Sequence, residues 1–144
     1  MRVTRHSDYA LRVLIYVGGV GDRLVTIAEV AERFRISRTH LMKVVNRLVR
    51  GGYVLGQRGK GGGLKLARPP EEIRVGDVIR AMEPDHEVVE CMGDPGKCML
   101  ENGCRLKRAL TEAHDAFYAV LDRYTLASLL DSPQTVRIIR VMAA

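Results

Sequence analysis

Apolar residues recur at helical spacing through the first fifty positions. Leu11, Leu14, Ile15 and Gly18 mark one face of a first helix, with Ser7 as its cap and Gly18-Gly19 and Gly21 as its end. Thr26-Ile27-Ala28-Glu29 has the form of a capping box, and it opens a short helix with Ile27, Val30, Ala31 and Phe34 inward. Arg35-Ile36 makes the turn. Ser37 then caps a third helix, with Leu41, Val44, Val45 and Leu48 inward and Gly51-Gly52 as its stop. The period changes after that. Tyr53-Val54-Leu55-Gly56-Gln57 and Gly63-Leu64-Lys65-Leu66-Ala67 flank Arg58-Gly59-Lys60-Gly61-Gly62, which predicts a β-hairpin with a glycine-rich basic tip. Pro69-Pro70 closes this unit.

Further along, residues 74–82 predict a short helix and 84–103 an irregular stretch broken by Pro84, Gly93, Pro95, Gly96 and Gly103. A long helix follows from Cys104 to Tyr124. Its apolar positions Leu106, Leu110, Ala113, Phe117, Val120 and Tyr124 step by 4, 3, 4, 3 and 4, a heptad seam that calls for a partner helix. In a short chain the simplest partner is a second copy, although the stripe also suits packing on its own domain. Residues 131–144 carry no readable role.

Two short helices joined by a tight turn and followed by a hairpin define a winged helix-turn-helix. The expected fold is mainly α with a small β-hairpin, a winged helix-turn-helix plus a long dimerisation helix. The expected organisation is a DNA-binding domain at 1–70, a connecting helix and cysteine loop at 71–103, a dimerisation helix at 104–130 and a tail at 131–144.

Charge sharpens this picture. Residues 1–68 hold 14 Lys and Arg against 4 Asp and Glu, a balance of +10, whereas residues 69–144 hold 9 against 13, a balance of −4. A basic N-terminal half is suited to a polyanion, because contact with DNA releases condensed counterions. A solvated basic face would show the same charge; the wing in the right place favours DNA. Helix three offers Ser37, Arg38, Thr39, His40, Lys43 and Asn46 outside its apolar face, with Arg38, Thr39 and Lys43 placed for the major groove. Arg58 and Lys60 on the wing would reach phosphate or an adjacent minor groove. The glycine run is not a nucleotide-binding loop, since Gly61 follows Gly59-Lys60 where Ser or Thr is needed.

Across the 144 residues, 47% are hydrophobic, enough for a core and too many for global disorder. No apolar run approaches the roughly 20 residues of a membrane span. Met1 to His6 meets charge too soon for a signal peptide, so a cytoplasmic protein without membrane partners is expected. An enzyme is not expected: there is no Ser/His/Asp set, no paired carboxylates in a cleft motif and no phosphate loop.

Cys91, Cys98 and Cys104 fall within 14 residues. An odd count in a reducing compartment argues against a disulfide framework, and the spacing is not that of CxxC zinc pairs. An iron–sulfur core, zinc with a fourth ligand, a disulfide switch and three free thiols all fit. Cys104 stands at a helix N-terminus, which favours a thiolate, and Lys97, Arg105, Lys107 and Arg108 would offset a cluster's negative charge. Three thiolates leave one iron a ligand short. His86 and His114 are available, but the position one turn after Cys104 is Lys107.

Ser7-Asp8-Tyr9-Ala10-Leu11-Arg12, the wing string Arg58-Gly59-Lys60-Gly61-Gly62-Gly63-Leu64-Lys65-Leu66-Ala67 and the cysteine triplet together resemble the winged-helix regulator family that includes NsrR and IscR. The likeness covers roughly residues 1–130. It is nearest the NsrR-like, nitric-oxide-sensing repressors: the IscR branch has a histidine where Lys107 stands, and Asp8 matches an N-terminal aspartate of the NsrR-like branch. The resemblance implies a 4Fe-4S cluster on Cys91, Cys98 and Cys104, with Asp8 as fourth ligand from the other subunit of a homodimer. A 2Fe-2S form with other ligands also occurs in such a family. It implies further that the holo dimer represses from a palindromic operator and leaves it on nitrosylation. The recognition helices would then sit one DNA turn apart, roughly 34 Å, or a multiple of it. An iron–sulfur or redox-responsive regulator of the same fold is the alternative. An electron-transfer or carrier protein ranks lower, having no use for a wing.

Overall fold

The computed structural model describes residues 3–83, 87–94, 96, 98–100 and 102–144. The fold is mostly helical, with one two-stranded antiparallel hairpin. Helix α1 spans Arg5–Val20 and is the central element. Its cap is Thr4, one turn before the expected Ser7; Ser7 lies inside the helix, and its backbone N–H donates to Thr4 Oγ1. Buried positions Ser7, Ala10, Val13, Leu14, Tyr16 and Val17 cover about half of the helix and, of the predicted stripe, include Leu14 alone, with Leu11 and Ile15 partly buried beside them. The reason is that neighbours pack on several sides: α3 (Arg38–Arg50), β2 (Gly63–Leu66), α4 (Val75–Met82), α7 (Leu126–Leu130) and α8 (Pro133–Ala143).

The expected break at Gly18-Gly19 does not occur. Both glycines are helical, and α1 ends at Gly21, whose φ is 82°. A Cβ on Gly19 would come within 2.5 Å of Ile139 Cδ1, and one on Gly18 within 2.8 Å of Leu130 Cδ1. The glycines let the C-terminal helices close on α1, which offsets a propensity penalty of about 1 kcal/mol each. Residues 133–143, unread in the sequence, thus form a helix that buries Ile139 against α1.

Helices α2 (Ile27–Phe34) and α3 form the helix-turn-helix. Thr26 Oγ1 accepts the Glu29 amide at 3.1 Å, half of the predicted capping box. The Glu29 carboxylate turns elsewhere, accepting the Tyr16 hydroxyl at 2.7 Å and two hydrogen bonds from Arg23 at 3.0 and 2.7 Å. The Arg23 hydrogen bonds hold the Glu29 carboxyl below its ordinary range. Burial, reinforced by Glu29, pushes the Tyr16 phenol up. Arg35 turns the chain in the left-handed conformation, φ 53°, with its N–H on the carbonyls of Ala31 and Glu32. Inward Leu41, Val44, Val45 and Leu48 are buried as the pattern predicts.

Strand β1 (Val54–Gln57) pairs antiparallel with β2 in the register Val54↔Leu66 to Gln57↔Gly63. A bridge from Val25 to Leu64, with N···O distances of 3.0 and 2.7 Å, ties the wing to the segment before α2. At the tip, Gly59 and Gly61 have φ of 99° and 81°, and a Cβ on Gly62 would strike the Gln57 carbonyl. The tight tip therefore requires glycine.

Helix α5 spans Glu90–Gly93 and α6 spans Arg105–Leu121. Helix α6 is shorter than the expected 104–124, because residues 122–124 turn so that the Tyr124 carbonyl accepts the Val75 amide at 2.9 Å. The helix has two apolar faces. Tyr118, with Phe117 and Leu121, packs on Val75 and Ile79 of α4. Along the predicted seam, Leu106 and Val120 are 65% and 43% exposed, and Tyr124 beyond the helix is 50% exposed. Own-domain packing therefore takes Phe117 from the seam and otherwise uses a face beside it, leaving Leu106, Val120 and Tyr124 open.

An ion-pair cluster fastens α4 to the end of α6. Arg80 donates to Asp122 at 2.8 and 2.6 Å and to Asp77 at 3.0 Å, and stacks 4.4 Å from the Tyr118 ring. The Arg80 hydrogen bonds hold the Asp122 carboxyl below the ordinary value of 3.8. A carboxyl depressed in the folded state contributes stability at neutral pH that is lost as pH falls through its folded value. Denaturation midpoints measured from pH 7 to pH 3 are expected to fall less steeply below about pH 4 in Asp122→Asn than in the parent. Identical slopes would remove Arg80–Asp122 from the acid response. Glu29, depressed in the same sense, supplies part of the slope that remains.

Candidate nucleic-acid interface and cysteine segment

Arg38, Thr39 and His40 form the first turn of α3, and Lys43 stands one turn on; all four are exposed, on the side opposite Leu41, Val44, Val45 and Leu48. Ser37 holds the N-cap position without a side-chain cap bond. Its hydroxyl is exposed at the same end. Arg58 and Lys60 are exposed on the wing tip. The structure therefore places every sequence-predicted DNA residue on the surface, in two groups: the N-terminal half of α3 and the hairpin tip.

Three other basic residues of the N-terminal half are engaged within the fold. Arg68 donates to the carbonyls of Gly52 and Gly51, both at 2.9 Å, and stacks 4.9 Å from the Tyr53 ring, fixing the start of the wing to the end of α3. Arg23 is held by Glu29 at 2.7 Å. Arg47 donates to the Met82 carbonyl at 2.7 Å. This contact joins the recognition helix to the end of α4, where the chain leaves for the cysteine loop. The adjacent Glu83 carboxylate accepts the Thr4 amide at 2.9 Å and the hydroxyl of buried Ser7 at 2.5 Å. Sequence reasoning missed both contacts, since Arg47 and Glu83 look locally like ordinary solvated charges.

The three cysteines are free thiols, Cys91 and Cys104 partly buried and Cys98 exposed. Cys91 lies on α5. Cys104 is the N-cap of α6, and its Sγ accepts the Lys107 amide at 3.3 Å. That hydrogen bond satisfies one of the free amides at the start of a 17-residue helix. Exposed Arg105 and Arg108 follow. Three sulfur donors within one segment are of the soft type that an iron–sulfur core takes. Among the described residues, no three His, Cys, Asp or Glu side chains are grouped closely enough to hold a metal ion. Asp8 lies on α1, half-exposed, in an i,i+4 pair with Arg12 at 2.9 Å. His114 packs its ring 4.9 Å from Tyr118, and its Nε2 is buried with no hydrogen-bond partner among the described residues. His86 and Lys97, also named from the sequence, lie outside the described residues.

A helix-turn-helix with a wing and an exposed basic recognition helix makes the chain a winged-helix DNA-binding regulator. Residues 3–132 match the Rrf2 family, described as iron-dependent transcriptional regulators, and the chain belongs to that family. Members bind DNA and act as dimers. Solved structures agree. CymR, the global cysteine regulator of B. subtilis, is 26% identical, covering 90% of this chain and 96% of its own, with a TM-score of 0.71. Oxidised Staphylococcus aureus CymR is 28% identical, covering 92% and 98%, at 0.73. T. potens IscR is 27% identical, covering 90% and 86%, at 0.72. Among the described residues no helix is long and apolar enough to cross a membrane.

Proposed function

We propose that the protein is a homodimeric repressor whose iron–sulfur cluster senses nitric oxide. On this reading the holo dimer occupies a palindromic operator and releases it on nitrosylation. The observation that carries the proposal is the cysteine segment, with Cys104 capping α6 and accepting the Lys107 amide at 3.3 Å. Cys91, Cys98 and Cys104 hold a cluster, 4Fe-4S in the favoured form. Asp8 of the partner subunit is the fourth ligand, since Lys107 occupies the position where a histidine ligand would stand. When bound, the cluster supplies iron to which nitric oxide adds. The open seam of α6, through Leu106 and Val120, is the surface offered to the second copy.

The chain's own residues supply the coupling. Among the described residues Asp8 is engaged only in a surface pair with Arg12, a contact worth about 0.3–0.5 kcal/mol, so freeing its carboxylate to act as a ligand would cost little. The Arg12 guanidinium also stands 5.9 Å from the Phe34 ring of α2. A change at Asp8 is thereby felt in the helix-turn-helix. Operator-length DNA binding by anaerobic protein, followed by anisotropy and cluster absorbance together during nitric oxide addition, tests this. The parent is expected to lose DNA as the cluster band changes, and Asp8→Ala to lose that coupling. An Asp8→Ala protein that responds as the parent does overturns the trans-ligand assignment.

Exposed Cys98 favours a second reading, since an accessible thiol is open to oxidation. It is a redox-responsive or cluster-assembly regulator, to which the likeness to CymR and IscR lends weight. DNA affinity that ignores nitric oxide and follows oxidation or cluster loss selects it.

A further inference from the structure

A small cavity of about 80 Å³ lies where the start of α1 meets the first turn of α3, lined by Arg5, His6, Tyr9 and His40. Among the described residues its walls contain no carboxylate. They present a guanidinium, two imidazoles and a phenol, all able to donate hydrogen bonds. Arg5, His6 and His40 are exposed at its edge, and none has an ion pair or side-chain hydrogen bond among the described residues. This contrasts with Arg23, Arg47 and Arg68, each of which is held by another part of the fold. A water molecule's share of the liquid is about 30 Å³, so the space suits one phosphate-sized group. Converging donors without a competing acid select an acceptor-rich anion.

We propose that this cavity binds a backbone phosphodiester of the DNA duplex, through Arg5, His6 and His40 with the Tyr9 hydroxyl. The site rests on the DNA-binding reading and adds α1 to it. His40 belongs to the same first turn as Arg38 and Thr39. When that turn enters a major groove, the strand bordering the groove runs past its start, and contacts to that strand fix register without reading sequence. The cavity puts α1 residues at that place, and no helix-turn-helix pattern marks them.

The test is the salt dependence of binding to a random-sequence duplex, because phosphate contacts do not need the operator. Arg5→Gln with His6→Asn is expected to flatten the slope of log K against log salt by about one, to a similar extent on any duplex. Both side chains are exposed, so the thermal midpoint should hold and separates lost contact from lost fold. If the parent binds duplex and the variant keeps the parental slope, this site is overturned alone. A parent that binds no duplex overturns the DNA reading and the site together. Inorganic phosphate, followed through the imidazole NMR signals of His6 and His40, separates a DNA phosphate from a free one. Saturation only at millimolar concentrations or above supports the backbone site; saturation at micromolar concentrations marks a free-anion site and overturns the assignment.

Discussion

Cys104→Ser is expected to leave the fold intact and to abolish both the cluster and cluster-dependent DNA binding. The substitution separates two roles of one side chain. As the N-cap of α6, Cys104 accepts the Lys107 amide, and Ser is among the preferred residues for that position. Helix α6 should therefore hold or gain slightly, and its packing through Tyr118 onto Val75 and Ile79 should persist. The soft thiolate is lost, and a serine hydroxyl is a poor substitute in an iron–sulfur core. Anaerobic protein should lack the cluster absorbance and fall to non-specific affinity, about a thousandfold or more below specific binding. Circular dichroism and the thermal midpoint report the helix, and absorbance and anisotropy report the function. A Cys104→Ser protein that keeps its cluster band and operator affinity removes Cys104 from the ligand set. One that loses its fold shows that the thiol is structural.

Arg38→Ala should cost DNA affinity by a different route. Arg38 opens α3 and is exposed beside Thr39 and His40, with the apolar face of the helix turned into the core. Helix N-terminal residues reach base edges, and a bidentate arginine contact to a base is worth about 1–3 kcal/mol, roughly a tenfold to hundredfold loss. The loss should be largest on the cognate operator and small on random duplex. Arg58→Ala on the wing tip should instead weaken every duplex alike and reduce the salt slope by about 0.9. If Arg38→Ala weakened all sequences equally, Arg38 would be a phosphate contact and the readers would lie elsewhere on α3. Lys43, one turn on, is the next position to test.

Much of the helix-turn-helix was legible in the chain because its signals are local. The inward set Leu41, Val44, Val45 and Leu48 follows from the helical period, and Thr26 caps α2 by bonding an amide three residues away. The hairpin is local too, since glycines at its tip meet a steric demand set within ten residues. Cysteine spacing likewise shows three thiols within one short segment without any geometry. Distant partners were not legible. Gly18 and Gly19 look like a helix stop and are instead the floor on which Leu130 and Ile139 rest. Glu29 completes a capping box on paper, yet Arg23 and Tyr16 hold its carboxylate, because a bidentate guanidinium and a buried phenol offer stronger bonds than a single amide.

The same division runs through the functional surface. By itself the sequence determined that the N-terminal half is basic, that a recognition helix and wing exist, and that three thiols crowd one loop, because charge, period and spacing are properties of the chain. Only the tertiary structure decided which cations are free to meet DNA. Arg23, Arg47 and Arg68 are drawn into contacts within the fold, while Arg5 and His6 of α1 come to stand beside His40 of α3. It also decided that α6 spends one apolar face on α4 and leaves Leu106 and Val120 of its seam exposed. A side chain's partners depend on where distant segments pack, and that packing is set by burial summed over the whole core rather than by any local pattern.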